Sequence, residues 1–339
     1  MFVDLIAKCA RVSAFLGLVS LGGMVTADAA ELEIWTARDA QLGSIPIIAS
    51  KKDFLAGKGV DAEVKFVSSG NAIPVGMAGG TIPMAVASYT NAIAMIANGV
   101  PVSMLAQTAD ISAVLQLTVR DGANIKTAKN LEGKRLGMSV SPLQTSLLQK
   151  TCEAYGCDPA KITVVNMQPE DLVIAFQRGD LDAVQTNDPW SVYMQREGGS
   201  MLLSAAQSKI PGMEGERRIM GVYIAAFARP DWVEQNPAMA EGVLAAFLDA
   251  KDWIKANPVE AAEIVGQAID IPADIVIETF KKVDFTMTMT SEWGQELNQQ
   301  ADLLYKSGEL ATQVTADKAF NPEPLKKICP ECVTFTPNQ

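Results

Sequence analysis

The chain of 339 residues contains no histidine. Without an imidazole there is no Ser-His-Asp or Cys-His nucleophile, no His-ligated zinc and no histidine proton relay. Any catalysis would have to use carboxylates, Lys, Tyr or Cys. Positive charge is short as well: Lys and Arg total 28 against 39 Asp and Glu, a formal net charge of −11. That balance argues against nucleic acid and anionic membrane as partners. Long hydrophobic runs are missing from the body of the chain. No charged residue occurs between Phe66 and Ala109, but Pro74, Pro83 and Pro101, with Gly70, Gly76, Gly79, Gly80 and Gly99, cut this stretch into pieces too short to cross a bilayer. A hydrophobic fraction of 48% with 20% charged residues excludes disordered and fibrous classes and leaves a globular protein of one or two domains.

The first feature present is a targeting segment. Lys8 and Arg11 precede the charge-free run from Val12 to Val25, and Ala27-Asp28-Ala29 offers small residues at an A-x-A cleavage site. Residues 1–29 therefore read as a secretory signal peptide cleaved near Ala29, which predicts an exported, periplasmic protein. A membrane anchor is the alternative, disfavoured by the short run and by Gly17, Ser20, Gly22 and Gly23 within it. Cleavage removes Lys8, Arg11, Asp4 and Asp28, so the charge stays at −11. Cys9 leaves with the segment. The remaining cysteines fall in two close pairs, Cys152 with Cys157 and Cys329 with Cys332. Export permits disulfides, and the sequence alone does not choose among the possible connectivities. Cys329-Pro330-Glu331-Cys332 resembles a redox or half-zinc motif, but no second ligand pair stands at metal spacing, and a local structural disulfide is the preferred reading.

The mature chain opens in a β-α-β rhythm: strand Leu32–Trp35, helix Ile45–Phe54 and strand Ala62–Val67. Helix 71–79, strand Ile82–Ala87, helix Thr90–Asn98 and strand Val102–Ala106 follow, charge-free as parallel strands covered on both faces would be. A second series comes after a polar connection at 121–130. It comprises strand Lys134–Met138, helix Leu143–Tyr155 closed by Gly156, strand Ile162–Asn166, helix Pro169–Gln177 ended by Gly179 and strand Leu181–Val184. Two α/β lobes of similar build are expected. From Asp231 onward the pattern predicts helices only: Asp231–Asn236, Ala238–Ala256, Pro258–Ala268 and Ile271–Asp284.

Ligands in open α/β sheets gather at the carboxyl ends of strands, beside helix N-termini. That rule nominates Arg38, Asp39, Gln41 and Ser44, then Ser68, Ser69, Gly70 and Asn71, then Ser88, Tyr89 and Thr90. The second lobe contributes Ser139, Ser141, Gln144, Thr145, Gln168, Asn187, Asp188 and Trp190. Nearly all are neutral hydrogen-bonders, a set suited to binding without reaction. Each has a plainer alternative: Ser, Thr and Asn before a helix are commonly N-caps, Asp188 before Pro189 and Trp190 is placed to cap, and Arg38 and Asp39 are placed to pair on the surface.

Ser68-Ser69-Gly70-Asn71, the Gly79-Gly80 helix stop and Val86-Ala87-Ser88 resemble the substrate-binding proteins of ABC importers in the nitrate/sulfonate/taurine and thiamine-precursor group. The likeness continues through 130–137, 175–183, Asp188-Pro189-Trp190, 229–232, Asn236-Pro237 and 253–262, and so covers most of residues 31–310. It implies an α/β, two-lobed periplasmic-binding-protein fold of type II, with the chain crossing near Leu117–Arg120 and returning near Tyr223–Ala228. Lobe 1 would comprise 30–117 and 226–339, and lobe 2 would comprise 118–225. The resemblance further implies a non-enzymatic monomer without cofactor or metal. Such a protein closes on its ligand by hinge motion and docks on a membrane permease driven by an ATPase. A bridge between the lobes would oppose that motion, so local disulfides are expected. Carried over by position, an anion would be held by Gln41, Ser44, Ser69, Asn71, Ser88, Ser141, Gln144 and Thr145, with Trp190 and Tyr223 walling its organic part and Arg38 available as a charge partner. Ile224 stands where taurine binders present a carboxylate, and the histidine of pyrimidine binders is absent. The ligand expected is an aliphatic or aryl sulfonate. The alternatives are taurine, nitrate or a thiamine precursor, a cleft enzyme using Asp188 or Asp39 as base, or a binding protein serving a receptor. Without histidine, affinity should vary little between pH 6 and 8, and Asp188 is the first suspect if a carboxylate is shifted.

Overall fold

A computed structural model describes residues 32–67 and 72–337. The signal-peptide expectation, Ser69 and Asn71 lie outside these residues. The chain begins with β1 (Leu32–Ala37), β2 (Ala62–Val67), β3 (Met84–Ser88) and β4 (Ser103–Asp110). It then forms a second sheet from β5 (Gln116–Arg120), β6 (Arg135–Met138), β7 (Thr163–Asn166), β8 (Ala183–Thr186), β9 (Gly199–Ser204), β10 (Gln207–Ser208) and β11 (Gly215–Glu216). Finally β12 (Tyr223–Ala228) and β13 (Asp284–Thr288) return to the first sheet, whose order is β13-β4-β12-β3-β1-β2. The second sheet runs β11-β10-β9-β5-β8-β6-β7. Two α/β lobes result, and the chain passes between their sheets at 111–115 and again at 217–222, just ahead of the two segments that the resemblance implies.

The first sheet is mixed. β1 pairs with β2 and β3 in parallel, but β12 inserts antiparallel between β3 and β4, and β13 pairs antiparallel with β4. The absence of charge from β3 and β4 reports burial on both faces and carries no information on direction. β13 itself corrects the all-helical expectation after Asp231: Phe285 and Met287 point inward while their neighbours remain partly open, a strand alternation set directly after helix Ala273–Phe280. A second correction concerns the first helix, which runs from Ala40 to Lys51 with Pro46 inside it and begins five residues before the expected Ile45. Its start is set by Asp39, whose carboxylate accepts from Gln41 N and Leu42 N.

Helices Pro237–Ala256, Pro258–Ile269 and Ala273–Phe280 pack against helix Ala40–Lys51 on one face of the first sheet, and one large apolar cluster fills that lobe. The second lobe has smaller clusters around Leu117, Leu136 and Leu203 and around Leu172, Phe176 and Met194. Leu147, from helix Pro142–Tyr155 of the second lobe, joins the first lobe's cluster and brings the lobes together beside the two passages.

Both disulfides are local. Cys152–Cys157 closes the end of helix Pro142–Tyr155 around Gly156, which takes the left-handed cap at φ 77°. Cys329–Cys332 shapes the C-terminal turn, where Met289 N donates to Cys332 O and Val333 bridges Met289. Neither bond ties one sheet to the other. Among the described residues no helix is long and apolar enough to cross a membrane.

Candidate functional site

β1 and β3 run in parallel, as do β6 and β8, so the carboxyl ends of each pair share one edge of their sheet. The two edges face each other. Gln41, at the start of the helix after β1, donates from Nε2 to Asp188 O at 2.6 Å, and its Oε1 accepts from Asn187 Nδ2 at 3.2 Å. Asn187 and Asp188 follow β8. These bonds join residues about 147 positions apart and define a contact between lobes at the predicted strand-end loops.

Asp188 is the hub of this contact. It has no solvent exposure, and Lys282 Nζ lies 2.8 and 3.0 Å from its two carboxylate oxygens. Ser191 Oγ donates to Oδ1, and Gln116 Nε2 reaches the same oxygen at 3.5 Å. Lys282 belongs to the connection leading into β13, so the ion pair also spans the lobes. A buried carboxylate requires this kind of compensation. Burial also acts on Asp39: desolvation pushes its pKa up to about 6, against its bonds from Gln41 N and Leu42 N, and the Asp188 charge pushes the same way.

Several nominated groups are committed locally. Ser44 is fully buried and donates to Ala40 O inside its own helix. Arg38 is exposed, lies 5.0 Å from the Phe66 ring centre and reaches Ala268 O at 3.4 Å, away from the second lobe. Ser88 caps the helix Tyr89–Ala97, accepting from Thr90 N and sharing a 2.8 Å bond with Thr90 Oγ1. Ser141 caps the helix Pro142–Tyr155 through a long 3.4 Å bond from Gln144 N, and Thr145 sits one residue further on. Gln144 is mostly buried, with its side-chain oxygen accepting from Gln185 Nε2 at 2.7 Å. Trp190 is half-buried against the Leu172, Phe176 and Met194 cluster, 6.1 Å from the Tyr193 ring.

Tyr89 and Tyr223 meet edge to face with ring centres 5.5 Å apart, both buried, beside the second passage between the lobes. Tyr89 OH donates to Gly221 O at 3.4 Å, and Tyr223 OH bonds the Glu296 carboxylate. Burial and the Glu296 charge raise both phenols above their ordinary range, so they act as neutral donors. The passages themselves are stitched together. Arg218 pairs with Asp110 at 2.6 Å and donates to Ser112 Oγ, which in turn accepts from Val222 N at 2.9 Å. Sequence reasoning missed Lys282, Arg218, Gln116 and Glu296. They lie outside strand-end loops or far along the chain from their partners, and no local pattern marks them.

Among the described residues no metal cage is built. The one cluster of potential ligands among the described residues is Cys329, Glu331 and Cys332, and its thiols are joined as a disulfide. All four cysteines of the described residues are so bonded.

This architecture is shared with known proteins. The family model described as NMT1/THI5 like matches residues 44–261. A curated Escherichia coli relative named for binding aliphatic sulfonates is 24% identical over 199 residues, 56% of this chain and 57% of its own length. The taurine-binding periplasmic protein of Escherichia coli is 28% identical over 127 residues, 37% of each chain. The chain thus spans little more than half, or less, of these relatives' lengths. The crystal structure of the periplasmic aliphatic sulphonate binding protein SsuA from Escherichia coli superposes with a TM-score of 0.73 at 18% identity, covering 91% of this chain and 94% of that one. The desulfurization enzyme DSZB superposes at 0.64 with 15% identity, over 88% and 98% of the chains. The two lobes therefore share the fold of periplasmic binding proteins, and the chain belongs to the NMT1/THI5-like family.

Proposed function

We propose that the protein is an exported solute-binding protein that captures a small organic anion, an aliphatic or aryl sulfonate, between its lobes and delivers it to an ABC permease and its ATPase. The observation that carries this reading is the facing of the two strand-end edges across the Gln41–Asp188 and Asn187–Gln41 bonds. Beside the Asp188–Lys282 pair and Asp39, the polar side chains there are hydroxyls and amides, suited to hold an oxyanion by aimed donors without reacting with it. In this reading lobe 2 lies between the passages at 111–115 and 217–222, and the leader ending at Ala29 sends the chain to the periplasm. Gln41, Ser69, Asn71, Ser88, Ser141, Gln144 and Thr145 supply donors, and Trp190 and Tyr223 face the organic part. Asp188 acts by positioning Gln41 and Lys282. The net charge of −11 does not prevent anion capture, because charges elsewhere on the surface are screened over about 8 Å at physiological salt.

A cleft enzyme is the second reading, favoured by the fold likeness to DSZB. Against it, Asp188 is held by Lys282, Asp39 is engaged as a cap, and the described cysteines are all disulfide-bonded. Native mass spectrometry of the exported protein separates the two. A retained or added arylsulfonate recovered unchanged supports transport, whereas release of sulfite or a desulfonated product supports catalysis.

A further inference from the structure

A cavity of about 210 Å³ opens beside the second passage between the lobes, lined by Tyr89, Lys150, Arg218, Gly221, Glu296 and Gln300. Apart from Tyr89, none of these residues belongs to the strand-end set. Lys150 comes from the helix Pro142–Tyr155 of the second lobe, while Glu296 and Gln300 come from the helix Ser291–Lys306 that follows β13. An occupant held by Lys150 and Glu296 together would therefore touch both lobes.

The walls are chemically incomplete. Gln300 is only 5% exposed, and its Nε2 has no hydrogen-bond partner among the described residues. In this structure that atom is sealed from solvent; a rotation of the amide that turns it to the cavity lets it meet an acceptor there and removes a cost of about 1–3 kcal/mol. Lys150 and Glu296 face the same cavity with opposite charges, and neither is in an ion pair among the described residues. Arg218, the other cation at the wall, is committed to Asp110 at 2.6 Å, although it also feels the Glu296 charge. Glu296 is fixed on one side by the Tyr223 hydroxyl. Gly221 leaves the room for that arrangement: a Cβ there would stand 1.7 Å from Glu296 Oε2 and 2.6 Å from Tyr223 OH.

A ligand that completes this cavity needs a negative oxygen group for Lys150 and the Gln300 amide and a positive group for Glu296. We infer that the cavity is a second binding site, for a small zwitterion of the amino-acid class, with its carboxylate on Lys150 and Gln300 and its ammonium on Glu296. The site is independent of the sulfonate reading. Because it draws on both lobes, occupancy favours the lobe arrangement that brings Lys150 and Glu296 together.

The test is a titration of the full mature protein with L-alanine and glycine, followed by calorimetry and by the side-chain amide resonances of the ¹⁵N-labelled protein. L-alanine should bind and shift the Gln300 amide signal, while acetate and methylammonium, each carrying one of the two charges, should bind about tenfold more weakly or worse. Lys150→Met and Glu296→Gln, checked for native melting, should each weaken alanine about tenfold or more. Saturating ethanesulfonate should not displace it. The inference is overturned by the absence of alanine binding, by acetate binding equally well, by unchanged affinity in Glu296→Gln, or by displacement with ethanesulfonate. The amide shift is read on the wild-type protein, so a variant that misfolds leaves the test intact. A protein that binds alanine but no sulfonate would refute the proposed function and support this second site.

Discussion

The Asp188 carboxylate of one lobe and the Lys282 ammonium of the other lie 2.8 Å apart, and the carboxylate has no exposure to solvent while the lysine side chain keeps 22% of its own. The two partners are therefore unequal. Removing the lysine leaves a charge that water cannot reach, whereas removing the carboxylate leaves one that can turn outward.

This asymmetry predicts that Lys282→Met destabilises the protein by about 3–5 kcal/mol, and Asp188→Asn by clearly less. The double variant should recover much of the lysine loss, because the stranded charge is gone. Chemical denaturation of the three variants checks it. Equal losses in the two single variants would show that Asp188 is not sealed from water.

A second expectation concerns pH. Burial lifts the Asp39 pKa from 3.8 to about 6, so the folded protein binds this proton more tightly than the unfolded chain does. The folded state then gains stability as pH falls through 6 towards 4, and it carries the full penalty of the ionised carboxylate above 6. Asp39→Asn keeps a capping side chain and should stabilise the protein by about 2 kcal/mol at pH 8, with little effect at pH 4. An anion bound at the same edge should bind about threefold more tightly at pH 5 than at pH 8, a difference that Asp39→Asn abolishes. Calorimetry across that range in both proteins gives the answer. A wild-type affinity independent of pH would place Asp39 outside the field of the ligand.

The disulfides supply a third. Cys152–Cys157 closes a short loop within one lobe, so replacing both cysteines by serine should cost about 2 kcal/mol of stability and leave ligand affinity unchanged. Thermal melting and titration of that variant measure both quantities. A large loss of affinity would mean that the end of helix Pro142–Tyr155 transmits strain to the site.

The features legible in the sequence are those that depend on neighbours along the chain. Gly156 and Gly179 mark helix ends because a left-handed cap needs glycine, and both helices stop there. Ser88 and Ser141 announce helix starts by the same local chemistry. Features that depend on distant partners were hidden. β12 is as charge-free as a parallel strand, and its antiparallel direction follows from where the chain returns. β13 is five residues long and follows a helix, so its alternation is too short to stand out. Lys282 reads as one surface lysine among many until the fold brings Asp188, 94 residues away, beside it. The strand-end rule found Gln41, Asn187 and Asp188, which do meet across the lobes, but it also nominated Ser44 and Arg38, whose side chains the local packing uses elsewhere.

The most direct test of capture between the lobes is a calorimetric titration of the mature protein with alkane- and arylsulfonates, run beside nitrate, taurine and a pyrimidine thiamine precursor. Micromolar or tighter binding of at least one sulfonate, weakened about tenfold by Gln41→Ala and with the ligand recovered unchanged, is the predicted result. No sulfonate binding, together with clear binding of nitrate or the pyrimidine, would contradict it.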